Sequence, residues 1–117
     1  GVAALDWETT FMDQKRTSTV ASLNEAHVAM GLASNANQAA LGAEEMARGA
    51  REAEAKGDRM AAIKFRAAVQ VSAQLAANLA GLARSHAATG RDEAVQAIMD
   101  AEAAAERGRK AAESTGG

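Results

Sequence analysis

The chain has 117 residues, of which 33 are Ala, with no Pro, Cys or Tyr, one Trp and two Phe. Thirteen basic and fifteen acidic side chains leave a net charge of −2; they are interspersed, so no basic stripe awaits phosphates and nucleic-acid binding has no support. The absence of Cys excludes a disulfide framework, a Cys-ligated zinc and a thiol nucleophile, and it suits a reducing compartment, so a cytoplasmic location is expected.

Residues 1–117 are expected to form one all-α domain: an N-terminal arm or short helix over 1–17, a helical body over 18–113 and a frayed tail over 114–117. In the arm, Trp7 and Phe11 lie one turn apart and are two of the three aromatics. They either dock on the body as a lid or anchor a partner. The opening residues lack the basic start and apolar run of a signal peptide.

A first helix is expected from about Ser18 to Met30, with Val20, Leu23, His27 and Met30 on its inner stripe and Gly31 closing it. Ser34, Asn35 and Asn37 offer N-caps to a second helix ending near Lys56, whose stripe is Ala36, Ala39, Ala43, Met46, Ala50 and Ala53. These small side chains permit close helix approach. Gly42 and Gly49 each weaken the helix by roughly 1 kcal/mol relative to Ala unless they admit a neighbour.

Lys56-Gly57-Asp58 combines a cation in a last turn, a glycine C-cap and an Asp N-cap. The central helix that follows, Asp58 to Ala88, carries two adjoining stripes. One is Phe65, Ala68, Ser72, Leu75, Leu79, Leu82 and His86; the other is Val69, Ala73, Ala76, Ala80, Ala83 and Ala87. Lys64, Gln70, Gln74, Asn78 and Ser85 stand opposite. An apolar arc this wide predicts at least two neighbouring helices. The uncharged run 67–83 includes Gln70, Ser72, Gln74 and Asn78 and is too polar to span a bilayer. Gly90 closes this helix and Asp92 opens the last, whose stripe is Ala94, Ile98, Ala101, Ala105 and Ala112, with Val95 and Met99 beside it. Asp92 and Glu93 at its start and Arg107, Arg109 and Lys110 near its end complement the helix dipole.

Gly57-Asp58 leading to Ala62-Ile63 and Gly90-Arg91-Asp92-Glu93 leading to Ala94-Val95 are similar phrases, 33 residues apart. With Leu79, Leu82, Ala83 and His86 before the second and Ile98 and Ala101 after it, and Met46, Ala50, Ala53 and Phe65 around the first, residues 46–101 resemble tetratricopeptide-type helical hairpins. Ala53 and His86 stand where that family places aromatics. The resemblance implies a scaffold for protein or peptide recognition without catalysis. The fold class expected is therefore antiparallel helical hairpins, Ala-rich, arranged as a four-helix bundle or a short tetratricopeptide-like array.

The two histidines share a frame, Leu-x-x-x-His-x-x-x-Gly, at His27 and His86. In an up-down-up-down bundle both fall at one end, together with Asp92, which makes a two-His, one-carboxylate site thinkable; a histidine beside a helix end more often bonds the last carbonyls. His27-Val28-Ala29-Met30-Gly31 resembles the His-x-x-Lys-Gly of histidine phosphotransfer domains, with Met30 at the Lys position, and would imply a phosphoryl relay through His27. Alanine-rich amphipathic helices also resemble phasins in general character, implying a surface coat. Paired acids such as Glu44-Glu45 fall off the apolar stripes, and no Glu-x-x-His, phosphate loop or nucleophile signature occurs. The expectation is a non-enzymatic interaction or assembly module that needs no cofactor. Only 23 residues are Val, Ile, Leu, Met, Phe or Trp, so a core this thin calls for a protein partner or self-association as a homo-oligomer.

Overall fold

The computed structural model describes the backbone of residues 2–86 and 92–115, and the side chains of 23–86 and 92–115. The described chain is all-helical. Helix α1 runs from Val2 to Ala55, α2 from Arg59 to Ser85 and α3 from Asp92 to Ser114. The Trp7 and Phe11 side chains, and the turn expected at Gly90, lie outside the described residues.

The division expected at Gly31 does not occur, and three helices stand where four were anticipated. α1 passes through Gly31 without interruption, and among the described residues Gly57 is the one glycine with positive φ. Buried Ala26, Ala33, Ala40 and Ala47, and Ala29, Ala36, Ala43 and Ala50, form two seven-residue series across this region. Continuous packing along them outweighs the roughly 1 kcal/mol that one glycine costs a helix. Ser34, Asn35 and Asn37 are consequently exposed helical residues instead of caps.

The turn at residues 56–58 forms as its sequence predicts. Gly57 takes φ +75 and donates its N–H to the Glu54 carbonyl at 3.0 Å, while the Asp58 N–H reaches back to Ala53 at 2.9 Å. That pair of bonds is the glycine-closed Schellman arrangement, and it satisfies carbonyls that the end of α1 would leave open. Asp58 Oδ1 then accepts the Ala61 N–H at 3.1 Å and caps α2.

Cross-helix contacts give the register. Gly42 faces Ser72 and Gly49 faces Phe65, so α2 runs antiparallel to α1. Arg84 bonds Glu102 at 3.3 Å and Gly108 faces Ala73, so α3 is antiparallel to α2. Arg51 donates to Ser114 at 3.1 Å, completing an up-down-up bundle. The Cα extents are 84 × 17 × 14 Å and the radius of gyration is 21.5 Å, against about 13 Å for a compact domain of this length.

The core is made of methyl groups. α3 buries Ala94, Ala97, Ala101, Ala104, Gly108 and Ala111, and α2 buries Ala62, Val69, Ala76, Ala80 and Ala83. Val69 is the largest fully buried side chain among the described residues. The series in α1 and α3 alternate steps of three and four, the spacing that keeps a seam turned toward neighbouring helices over many turns.

This reverses part of the expected facing. In α1, Leu23, His27 and Met30 are exposed, and the neighbouring Ala26 and Ala29 point inward. In α2 the small stripe is the core. Phe65, Ser72 and Leu79 flank it half-buried, while Leu75 and Leu82 are exposed. In α3, Val95 and Met99 face outward, and Ile98, Ala105 and Ala112 are half-buried. Three helices that meet through alanine methyls lie too close together for a Leu or Met to enter the seam, so bulk is displaced to the flanks and the outside.

Candidate functional site: an apolar outer face on the second helix

Seventeen described side chains are Val, Ile, Leu, Met or Phe; eleven of them are exposed and one is fully buried. A core-driven distribution would be the opposite. The exposed set is concentrated on α2, where Met60 is 68%, Ile63 58%, Val71 70%, Leu75 50% and Leu82 50% exposed. With Ala67 they fall within one third of the helix circumference, directly opposite Ala62, Val69, Ala76 and Ala83. At a rise of 1.5 Å per residue, the stripe from Met60 to Leu82 is about 33 Å long.

Its electrostatics are simple. From Arg59 to Ser85 there is no acidic residue. Arg66 pairs with Glu54 of α1 and Arg84 with Glu102 of α3, both at the sides of the helix. Lys64 is thus the one charge within the stripe, and Gln74 and Asn78 are its neutral polar members; Gln74 donates to Asn78 at 2.9 Å.

A second concavity, about 870 Å³, lies between α1 and α3. Ala33, Ala97 and Ala104 form its floor, Met30 stands at one side, and Asp92, Glu93 and Asp100 line its rim. Arg107 closes it by donating to Asn37 at 2.6 Å and pairing with Glu44.

His27, His86 and Asp92 occupy three separate settings. His86 terminates α2, its Nδ1 lies 3.0 Å from Glu25 Oε2, and its backbone N–H caps carbonyls of the last turn. His27 is exposed on α1, and Asp92 belongs to the α1–α3 rim. Among the described residues no group of three or more His, Asp or Glu is placed to hold a metal. Arg109 forms an exposed ionic cluster with Glu106 and Glu113 on the surface of α3. The hydrogen bond from Arg109 draws the Glu106 carboxyl below its ordinary range; desolvation opposes it, and the charges of Arg109 and Lys110 add to the lowering. No described helix is long and apolar enough to cross a membrane.

Met60, Ile63 and Val71 are the part of this face that the stripe reading of α2 passes over, because Lys64, Gln70, Gln74 and Asn78 mark the same side as solvated. The available signal is a further apolar series, Met60, Ile63, Ala67 and Val71, at helical spacing beside Leu75 and Leu82 of the first. The chain matches no protein-family model, no curated protein and no solved structure.

Proposed function

We propose that the chain is a non-catalytic protein-interaction or assembly module whose working surface is the outer face of α2. The observation that carries this reading is the inversion of the bundle: methyl groups fill the inside, and the bulky apolar side chains of α2 stand in water. Fully burying such a side chain is worth about 1.5–3 kcal/mol. Covering five half-exposed ones on a rigid helix is thus a sizeable driving force, little of which is offset by ordering flexible groups. The resemblance of residues 46–101 to tetratricopeptide-type hairpins supports recognition as the role.

The test pairs a structural readout with a binding one. Met60→Glu/Val71→Glu should retain the helical circular dichroism of the wild-type chain, yet lose the cross-linked complexes that the wild type forms in its native host extract. Complexes that persist unchanged would refute the assignment of this face.

A second reading rests on the exposure of His27, which a phosphoryl relay requires. Treatment with acetyl phosphate distinguishes it: a phosphohistidine on His27, absent in His27→Gln, would support the relay, and no adduct on the folded chain would remove it.

A further inference from the structure

We infer that the occupant of the α2 face is a second copy of this chain, docked antiparallel across a two-fold axis at Val71. The inference rests on the interaction-module reading and specifies its partner. The stripe positions 60, 64, 67, 71, 75, 78 and 82 are symmetric about 71. An antiparallel copy centred there brings Met60 to Leu82, Lys64 to Asn78, Ala67 to Leu75, and Val71 to itself. Apolar meets apolar at both ends, and the large Leu75 enters the space left by the small Ala67, as interdigitating helices require. The same surface serves both copies, which is the condition for a closed two-fold contact.

Charge selects this orientation over the parallel one. A parallel pair would set Lys64 against Lys64, and α2 contains no carboxylate between Arg59 and Ser85 to offset the repulsion. In the antiparallel pair each Lys64 ammonium meets the neutral amide of Asn78, a hydrogen-bond acceptor. Arg66 and Arg84 point to carboxylates of their own chain, Glu54 and Glu102, and stay clear of the contact.

The stripe offers a second copy about 33 Å of helix, from Met60 to Leu82. A standard interface removes about 800 Å² from each partner. A second copy supplies both the matching spacing and a hydrogen-bond acceptor, Asn78, opposite Lys64.

The chain has no native Cys, so single introduced thiols report the geometry directly. Under mild oxidation Val71→Cys should run on a denaturing gel at twice the 12.0 kDa chain mass, since residues facing across a two-fold axis fall within disulfide reach. Met60→Cys and Leu82→Cys should each remain monomeric on that gel, and Met60→Cys/Leu82→Cys should cross-link. In sedimentation the wild type should dimerise, and Val71→Glu should weaken the dimer at least tenfold. Cross-linking by Met60→Cys alone would overturn the antiparallel arrangement. A wild-type chain that stays at 12.0 kDa to about 100 μM, with no Val71→Cys cross-link, would overturn self-pairing altogether. If Met60→Glu/Val71→Glu still abolished complexes in host extract in that case, the interaction face would stand and only the identity of its occupant would fall.

Discussion

The aromatic ring of Phe65 lies directly over Gly49: a Cβ built on that glycine would sit 2.7 Å from the ring's Cε1 and 2.9 Å from Cδ1 and Cζ. The glycine is therefore a seat for the ring where α2 packs on α1. Gly31 on the same helix has nothing within 4 Å of such a Cβ. Two glycines in one helix thus have opposite reasons for being there.

The resulting prediction is a change of sign. Gly31→Ala should stabilise the chain by about 1 kcal/mol, the propensity gain alone. Gly49→Ala carries the same gain but forces the Phe65 ring to shift, an overpacking penalty of about 1–3 kcal/mol, so its net effect should be destabilising. In a Phe65→Ala background Gly49→Ala should recover the stabilising sign. Thermal unfolding followed by circular dichroism, in all four variants at one concentration, checks each step.

The turn between α1 and α2 depends on two residues with separable contributions. Gly57 has φ +75, where an L side chain is strained, and Gly57→Ala should cost about 1 kcal/mol or more. Asp58→Ala removes the acceptor of the Ala61 N–H and should cost about 1 kcal/mol, with Asp58→Ser retaining most of the cap. Urea midpoints that do not move for either variant would show that the turn is not a determinant of stability.

That turn is legible in the sequence because its signals are local. Lys56-Gly57-Asp58 specifies a C-cap and an N-cap whatever packs around it, and the start of α2 follows from Asp58. The facing of the helices is less legible. Ranking residues by bulk turns Leu23, Leu75, Leu82, Val95 and Met99 inward, whereas a bundle joined through Ala26, Ala36, Ala76 and Ala101 selects for smallness at the seam. The seven-residue alanine series is visible in the letters, but whether methyl or isobutyl groups form the contact depends on interhelical distance, a tertiary quantity. The same ambiguity explains Gly31: as a local signal it reads as a stop, and the alanine series on either side overrides it. Of the candidate site, His86 is correctly placed beside a helix end, yet its carboxylate neighbour is Glu25, 61 positions away, beyond the reach of any local pattern.

Glu106 supplies a pH prediction with a definite sign. Its carboxyl, ordinarily near 4.5, is held lower in the folded chain, chiefly by the hydrogen bond from Arg109 and further by the charges of Arg109 and Lys110. A depressed folded value means that the pair stabilises the fold above the unfolded pKa and that this contribution is lost as pH falls through the folded one. Both side chains are exposed, so salt should weaken the effect. Carboxyl-detected NMR titration of Glu106 should show its midpoint rising in Arg109→Gln, and rising also in the wild type at molar salt. A midpoint indifferent to Arg109 would dissolve the pair.

The sharpest test of which side of α2 faces inward compares Leu79 with Val71. Leu79 is half-buried and packs against the alanine cluster of α1, α2 and α3, so Leu79→Asp places a carboxylate against a seam with no partner for it. That should cost several kcal/mol and abolish cooperative thermal unfolding. Val71 is 70% exposed, about 80° around the helix from Leu79, so Val71→Asp at concentrations too low for self-association should alter unfolding by no more than about 0.5 kcal/mol. At high concentration the two substitutions should converge in one respect, since both then prevent the doubling of mass seen by sedimentation. Leu79→Asp does so by unfolding the chain and Val71→Asp by charging its outer face, and circular dichroism on the same samples tells them apart. Equal loss of helicity in both variants would mean that α2 buries both of its faces within one chain, and the outward apolar stripe would have to be reassigned to the core.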